Sequence, residues 1–230
     1  MQNHTAPVST QLKTLNITVE NLSPPQGTAL SPLWFGFHNG DFTVFTCGAP
    51  ASPALERLAE DGNTGPLTSQ FSQVEAGIVQ GTVFGTDDIF NGIFPGSTVS
   101  LKVVIDVSLP NSRFFSYAAM VIPSNDAFIS NENPKAYEII DSCGKFVGLD
   151  ITVMGREILD AGTEVNDEAP LHAAGAGPVF LFNTGVNERG VIHQHEGYQP
   201  GGTILSIPMW ANADFTVPDY RLARITVTEA

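Results

Sequence analysis

The chain predicts an all-β fold, an antiparallel β-sandwich with one or two short helices in its connections. Three observations carry that expectation: many short segments that alternate apolar and polar residues, turns marked by 22 glycines and 16 prolines, and little helical periodicity. Hydrophobic residues make up 42% of the 230 positions and charged residues 15%, which suits one large core, and no run approaches the ~20 apolar residues of a membrane span. No composition shift marks a boundary and no repeat is visible. We therefore expect a flexible segment over residues 1–13 and a single domain over 14–230.

Taken in order, the first strand is read from Thr14 to Leu22, where Leu15, Ile17 and Val19 alternate with Asn16, Thr18 and Glu20. Pro24-Pro25-Gln26-Gly27 breaks it. Leu33 to His38 resumes in extended form, and the turn Asn39-Gly40-Asp41 leads into Phe42–Phe45 as the second arm of a hairpin. Ser52-Pro53 then supplies an N-cap and a first-turn proline ahead of Leu55, Leu58 and Ala59, and Gly62 supplies a stop, so a short helix is expected. The turn-rich stretch from Gly62 to Gly96 has room for one or two more strands.

From Ser100 to Leu109 the alternation is strict, with Leu101, Val103, Ile105, Val107 and Leu109 on one face and Asp106 on the other. Phe114–Ile122 and Phe146–Met154 are the next strands. Each runs into an oxygen-rich loop: Pro123-Ser124-Asn125-Asp126 after the first, Asp160-Ala161-Gly162-Thr163-Glu164 after the second. Ala173–Pro178 reads as a flexible link into Val179–Phe182, followed by Val191–Glu196, and Thr203–Met209 and Arg221–Val227 read as closing strands.

The charge of −14, from 24 acidic and 10 basic residues, repels phosphate backbones and favours bound cations, which argues against nucleic acid as a partner. Carboxylates gathered at strand ends suit a hard cation, since calcium accepts six to eight oxygen ligands from irregular loops. A sandwich brings distant loops together at one end, so Asp126 and Asp160 are candidates, with Asp106 reaching in from a neighbouring strand. The same aspartates also serve as ordinary turn formers through local hydrogen bonds. A rival transition-metal site would use His193 and His195, two apart on a strand, with His172 and Glu196 as additions.

Cys47 and Cys143 suit either one disulfide or two buried thiols. No basic and apolar leader opens the chain, which fits a protein that is not exported or a mature form. Nucleophile and nucleotide motifs are missing from the sequence, which by itself does not exclude an enzyme.

Several segments taken together resemble the spondin amino-terminal domain family, the F-spondin and mindin type that also occurs in bacterial proteins. The segment from Phe115 to Phe128 resembles its Ser-Met-Val/Ile-x-Pro-Ser-Pro-Asp-Trp-Phe signature. Leu149–Met154 with Asp160-Ala161-Gly162-Thr163-Glu164 resembles its strand and Asp-Ala-Gly-Thr-Asp loop. Trp34–Phe45 and Ala51–Gly62 resemble its bacterial branch, and Ala223–Val227 resembles its closing strand.

The resemblance implies a β-sandwich similar to lipid-binding calcium modules, with one Ca2+ ion at one end. It implies Asp126 and Asp160 as ligands and Asp106 as the nearest match to a third acidic ligand on the preceding strand. Asn125 stands in place of the signature proline, Ala127 in place of its tryptophan and Glu164 in place of the second aspartate of the loop. Glu164 keeps that loop acidic and is not assigned as a ligand, and the animal proteins' integrin and matrix partners are not transferred. The expected function is a non-catalytic, calcium-binding, extracellular or periplasmic adhesion module with a protein or glycan surface partner. The alternatives are a small metalloenzyme using His193 and His195, or a purely structural surface or assembly protein.

Overall fold

The computed structural model describes residues 10–87 and 90–230; the first nine positions of the segment expected to be flexible lie outside the described residues. Its strands are β1 (Leu12–Asn21), β2 (Ala29–Leu30), β3 (Leu33–His38), β4 (Gly77–Val83), β5 (Thr98–Asp106), β6 (Phe114–Ile122), β7 (Ala127–Ser130), β8 (Leu149–Met154), β9 (Leu159–Asp160), β10 (His193–Gln194) and β11 (Arg221–Glu229). The helices are α1 (Pro53–Asp61) and α2 (Gly65–Ser72). The strands form two antiparallel sheets, one in the order β5-β1-β11-β8 and the other in the order β10-β9-β7-β6-β3-β4 with β2 also on β6. The all-β sandwich with two short helices is what the sequence predicts.

Alternation decides which face of each strand is buried. In β1, Leu15, Ile17 and Val19 are buried, and they meet Ile105, Ile225, Val227, Phe35, Phe37, Phe115 and Tyr117 in one core between the sheets. β3 and β6 read as continuous apolar runs because both their faces are covered, and every residue of both strands is buried. Their second face carries Trp34 and Ala118 against Leu55, Leu58 and Phe71 of the helices. Farther along, Met120 and Ile122 pack against Trp210 and Ile204.

Helix α1 begins where its cap predicts: the Ser52 side chain accepts the Leu55 N–H, and Gly62, at φ 65°, closes the helix in the left-handed region. Its Leu55, Leu58 and Ala59 face β6 and β7, which leaves Glu60 buried on the flank of the same stripe.

Several elements differ from the sequence reading. Phe42–Phe45 is no strand; Phe42, Val44 and Phe45 are buried side chains of an irregular segment, and β3 pairs instead with β4 and β6. Thr203–Met209 forms two 3-10 turns, Ile204–Ser206 and Pro208–Trp210, because Pro208 cannot donate to a ladder. Val179–Phe182 is irregular, with Phe180 tilted against Phe90 and Phe182 edge-on to it. Two further elements had no clear pattern: α2, and β7 inside the stretch taken as a loop. The strand read from Phe146 starts at Leu149.

Candidate functional site

The end of β6 is tied into a tight turn. Ser124 Oγ donates to the Val121 carbonyl at 2.6 Å and accepts the Ala127 N–H at 3.0 Å, so the chain doubles back into β7 with Asp126 at the bend. β9 pairs with β7, setting Asp160 opposite Ala127, and the Ala161 N–H donates to the Asp126 carbonyl at 3.2 Å. Two loops distant in sequence thus place Asp126 and Asp160 side by side.

The Asp-Ala-Gly-Thr-Glu loop wraps the Asp126 carboxylate. Asp126 Oδ2 accepts the Thr163 N–H at 2.7 Å, the Thr163 hydroxyl at 3.1 Å and the Glu164 N–H at 3.1 Å. Gly162 makes the turn possible: its φ is +66°, and a Cβ there would lie 2.7 Å from the Val191 nitrogen. Asp160 Oδ1 accepts the Gly162 N–H at 2.7 Å, and its Oδ2 accepts from Asn166 Nδ2.

Asp126 is fully buried, and its Oδ1 has no hydrogen-bond partner among the described residues. Burial first, and the charge of Asp160 second, push its carboxyl up to about 6 against the loop's hydrogen bonds. Sequence reasoning set Glu164 aside, yet it is 3% exposed. Its Oε1 accepts the Gly185 N–H at 2.8 Å and its Oε2 is unpartnered among the described residues. Burial, then Glu60, push Glu164 up to about 7. Glu60 reaches the same cluster from α1 and is raised mainly by burial, with Arg57 Nη1 3.3 Å from its Oε2. No pattern in the helix marks Glu60 as a site residue; it follows Ala59 directly, is buried, and lies beside Thr163 of the Asp-Ala-Gly-Thr-Glu loop.

Asp106 is not brought to this pair. It ends β5, the outer strand of the other sheet, where its Oδ1 accepts from Gln11 N, Ser108 N and Ser108 Oγ. The Ser108 hydroxyl, then the Gln11 N–H, hold its carboxyl below the usual range. Its carbonyl is bonded by Ser112, just before β6 begins, whereas Asp126 follows the far end of that nine-residue strand, a run of about 30 Å at ~3.3 Å per residue.

The two histidines diverge. His193 pairs with Asp160 in the β9–β10 ladder and is exposed, its Nε2 3.9 Å from Asp160 Oδ2. His195 is buried, its Nδ1 accepting the Gly197 N–H at 3.0 Å and its ring edge-on to Phe215, and burial pushes it below its ordinary value. His172 bonds Asp167 instead, and Glu196 is exposed. Among the described residues, no three His, Cys, Asp or Glu side chains are grouped closely enough to hold a metal ion by themselves. Any cation here would take further oxygens from backbone, amides or water, as calcium does. Cys47 and Cys143 are free thiols, neither bridged nor buried as the sequence reading offered, since both are exposed.

With that geometry in place, the comparisons are specific. A family model described as Spondin_N matches residues 22–165, more than half of the chain, and spans α1, β6, Asp126, Asp160 and Glu164. No curated protein matches the chain. No helix among the described residues is long and apolar enough to cross a membrane.

Proposed function

We propose, from the fact that this chain belongs to the spondin N-terminal domain family, that it works outside the cell as a non-catalytic adhesion module that holds one calcium ion between its two acidic loops. Asp126 and Asp160 are the ligands of this reading. Asp106 is left out of it, since it caps its own turn on the other sheet. Membership of the family supports an interaction module; the cation is the finer step.

The observation that carries that step is the fully buried Asp126 Oδ1, which has no partner among the described residues and lies on a carboxylate adjacent to a second one. An unpaired buried carboxylate is costly, and a divalent cation removes the cost. The calcium supplies charge neutralisation and loop crosslinking. Asp126 and Asp160 supply oxygens, and the Thr163 and Glu164 N–H groups hold Asp126 in one orientation. The surface partner, protein or glycan, would read the loops so ordered.

Calorimetric titration of calcium into chelator-treated protein, repeated with Asp126→Asn, tests the reading. One site in the wild type and none in the variant is expected. No binding by either, or equal binding by both, overturns it. The transition-metal alternative rests on the approach of His193 to Asp160; zinc, copper or iron in stoichiometric amount, lost in His193→Ala, would favour it instead.

A further inference from the structure

A recess of about 380 Å³, within the usual range for small-ligand sites, opens between the turn Gly155–Glu157 after β8 and the end of β10, and neither Asp126 nor Asp160 lines it. Its walls are fixed by the protein's own bonds. The Gly155 N–H donates to the Tyr220 carbonyl at 2.8 Å and the Met154 N–H to Glu157 Oε2 at 2.8 Å, while the His195 N–H donates to the Ile158 carbonyl at 3.0 Å. Gly155 lets the Phe215 backbone close in, since a Cβ there would lie 2.1 Å from the Phe215 carbonyl oxygen. Because Gln194 pairs with Leu159, next to Asp160, the recess shares a sheet edge with the acidic loops.

Two donors on side chains that line the recess are unused by the protein. His195 accepts the Gly197 N–H on Nδ1, so the neutral ring carries its proton on Nε2, and that N–H meets no acceptor among the described residues. The ring is otherwise held, buried and edge-on to Phe215. Arg156 is exposed and forms no ion pair among the described residues, whereas Arg57, Arg113 and Arg224 each hold a carboxylate. A guanidinium fork and an imidazole N–H in one recess suit a carboxylate. Gln194, Glu196 and Thr216 complete the lining with groups that bond hydroxyls. Glu196 and the net charge of −14 repel a multiply charged anion, which favours a ligand with one negative charge among hydroxyls.

We propose that this recess binds an acidic sugar, a uronic acid residue of a surface glycan, with Arg156 and the His195 Nε2–H on its carboxylate and Gln194, Glu196 and Thr216 on its hydroxyls. The choice of a glycan rests on the adhesion reading above; the recess itself needs no calcium. It gives the module a contact surface of its own, made from side chains other than Asp126 and Asp160.

The test is titration of the full chain with D-glucuronate, D-glucose, acetate and glycine, followed by calorimetry and by the His195 ring signals in NMR spectra. Saturable glucuronate binding that shifts the His195 ring is expected, with glucose and acetate each weaker, because glucose lacks the carboxylate and acetate the hydroxyls. Losing a hydrogen bond to a charged group costs about tenfold in affinity or more, so Arg156→Gln and His195→Gln are each expected to weaken glucuronate by at least that much. Arg156→Gln should take calcium as the wild type does, which separates the two readings. A chain that binds glucuronate but no calcium upholds the recess and loses the cation, and one that binds no glucuronate overturns the proposal whether or not calcium binds. Glucose bound as tightly as glucuronate overturns the carboxylate contact, acetate or glycine bound as tightly overturns the sugar, and unchanged affinity in Arg156→Gln overturns the site. If His195→Gln does not fold, Arg156→Gln, a change at an exposed side chain, decides alone.

Discussion

The Thr163 N–H donates to Asp126 Oδ2 at 2.7 Å across 37 residues of sequence, joining the loop after β6 to the loop after β9. With the Glu164 N–H and the Thr163 hydroxyl on the same oxygen, one carboxylate organises both loops, and its other oxygen has no partner among the described residues.

Calcium is expected to raise the melting temperature. A ligand confined to the native state adds about 2.7 kcal/mol at 100 times its Kd. Differential scanning calorimetry in calcium and in chelator should show the shift in the wild type and none in Asp126→Asn. Protons compete for the same oxygens, so the shift should shrink as pH falls through about 6, where Asp126 takes up a proton.

His38 gives a second, independent pH dependence. It is buried, with Nε2 2.9 Å from Ser116 Oγ and Nδ1 accepting the Gly40 N–H at 3.0 Å, and burial lowers it from 6.5 to about 4 against the pull of Asp41. The unfolded chain then binds the extra proton first. Stability contributed by His38 is intact above pH 6.5 and is lost as pH falls toward 4, by up to roughly 3 kcal/mol. Urea unfolding from pH 7 to 4, with calcium held saturating, should show a shallower slope in His38→Gln than in the wild type.

Phe115 lies fully buried between the sheets, its ring stacked on Phe35 at 6.0 Å and tilted against Phe37 at 5.4 Å. Phe115→Ala is expected to cost about 3–5 kcal/mol, in the range for large aromatic truncations in a core. Equilibrium unfolding measures this directly. Calcium affinity per folded molecule should be unaffected, because Phe115 sits at the opposite end of β6 from Asp126.

Cys47 and Cys143 are exposed and unbridged. Both should react with an alkylating reagent in the native protein, as seen by mass spectrometry, and a reductant should leave the melting temperature unchanged. A species lacking two labelling sites would show a bridge.

Much of the fold was legible because a two-residue period exposes half-buried strands, as in Leu15, Ile17 and Val19, and in Ile105 and Val107. Continuous apolar runs, as in Phe114–Ile122, mark strands covered on both faces. The period fails where neighbours override it. Phe42, Val44 and Phe45 alternate well enough for a strand, yet their side chains fill the gap beside the helices and their backbone leaves the sheet. Ala127–Ser130 looked like loop because four residues are too few for a pattern, and its pairing is supplied by β6 and β9. The nearness of Asp126 and Asp160 was legible through the family signature. The separation of Asp106 was not, since it depends on which sheet β5 joins. Glu164 was read as keeping its loop acidic and was not assigned as a ligand, and Glu60 was not singled out at all, because nothing local shows that either acid is buried.

The pairing of β1 with β11 has a mechanical consequence. Leu15 lies opposite Glu229, and the Ala230 N–H donates to the Thr14 carbonyl at 3.0 Å, so the outset of the first strand and the finish of the last leave the sheet at the same end. Tension applied through those two points would part their ladder like a zipper, one hydrogen bond after another, rather than shear all of them at once. A module tethered at both points would therefore yield at low force, and one meant to bear load would have to transmit it through its bound loops.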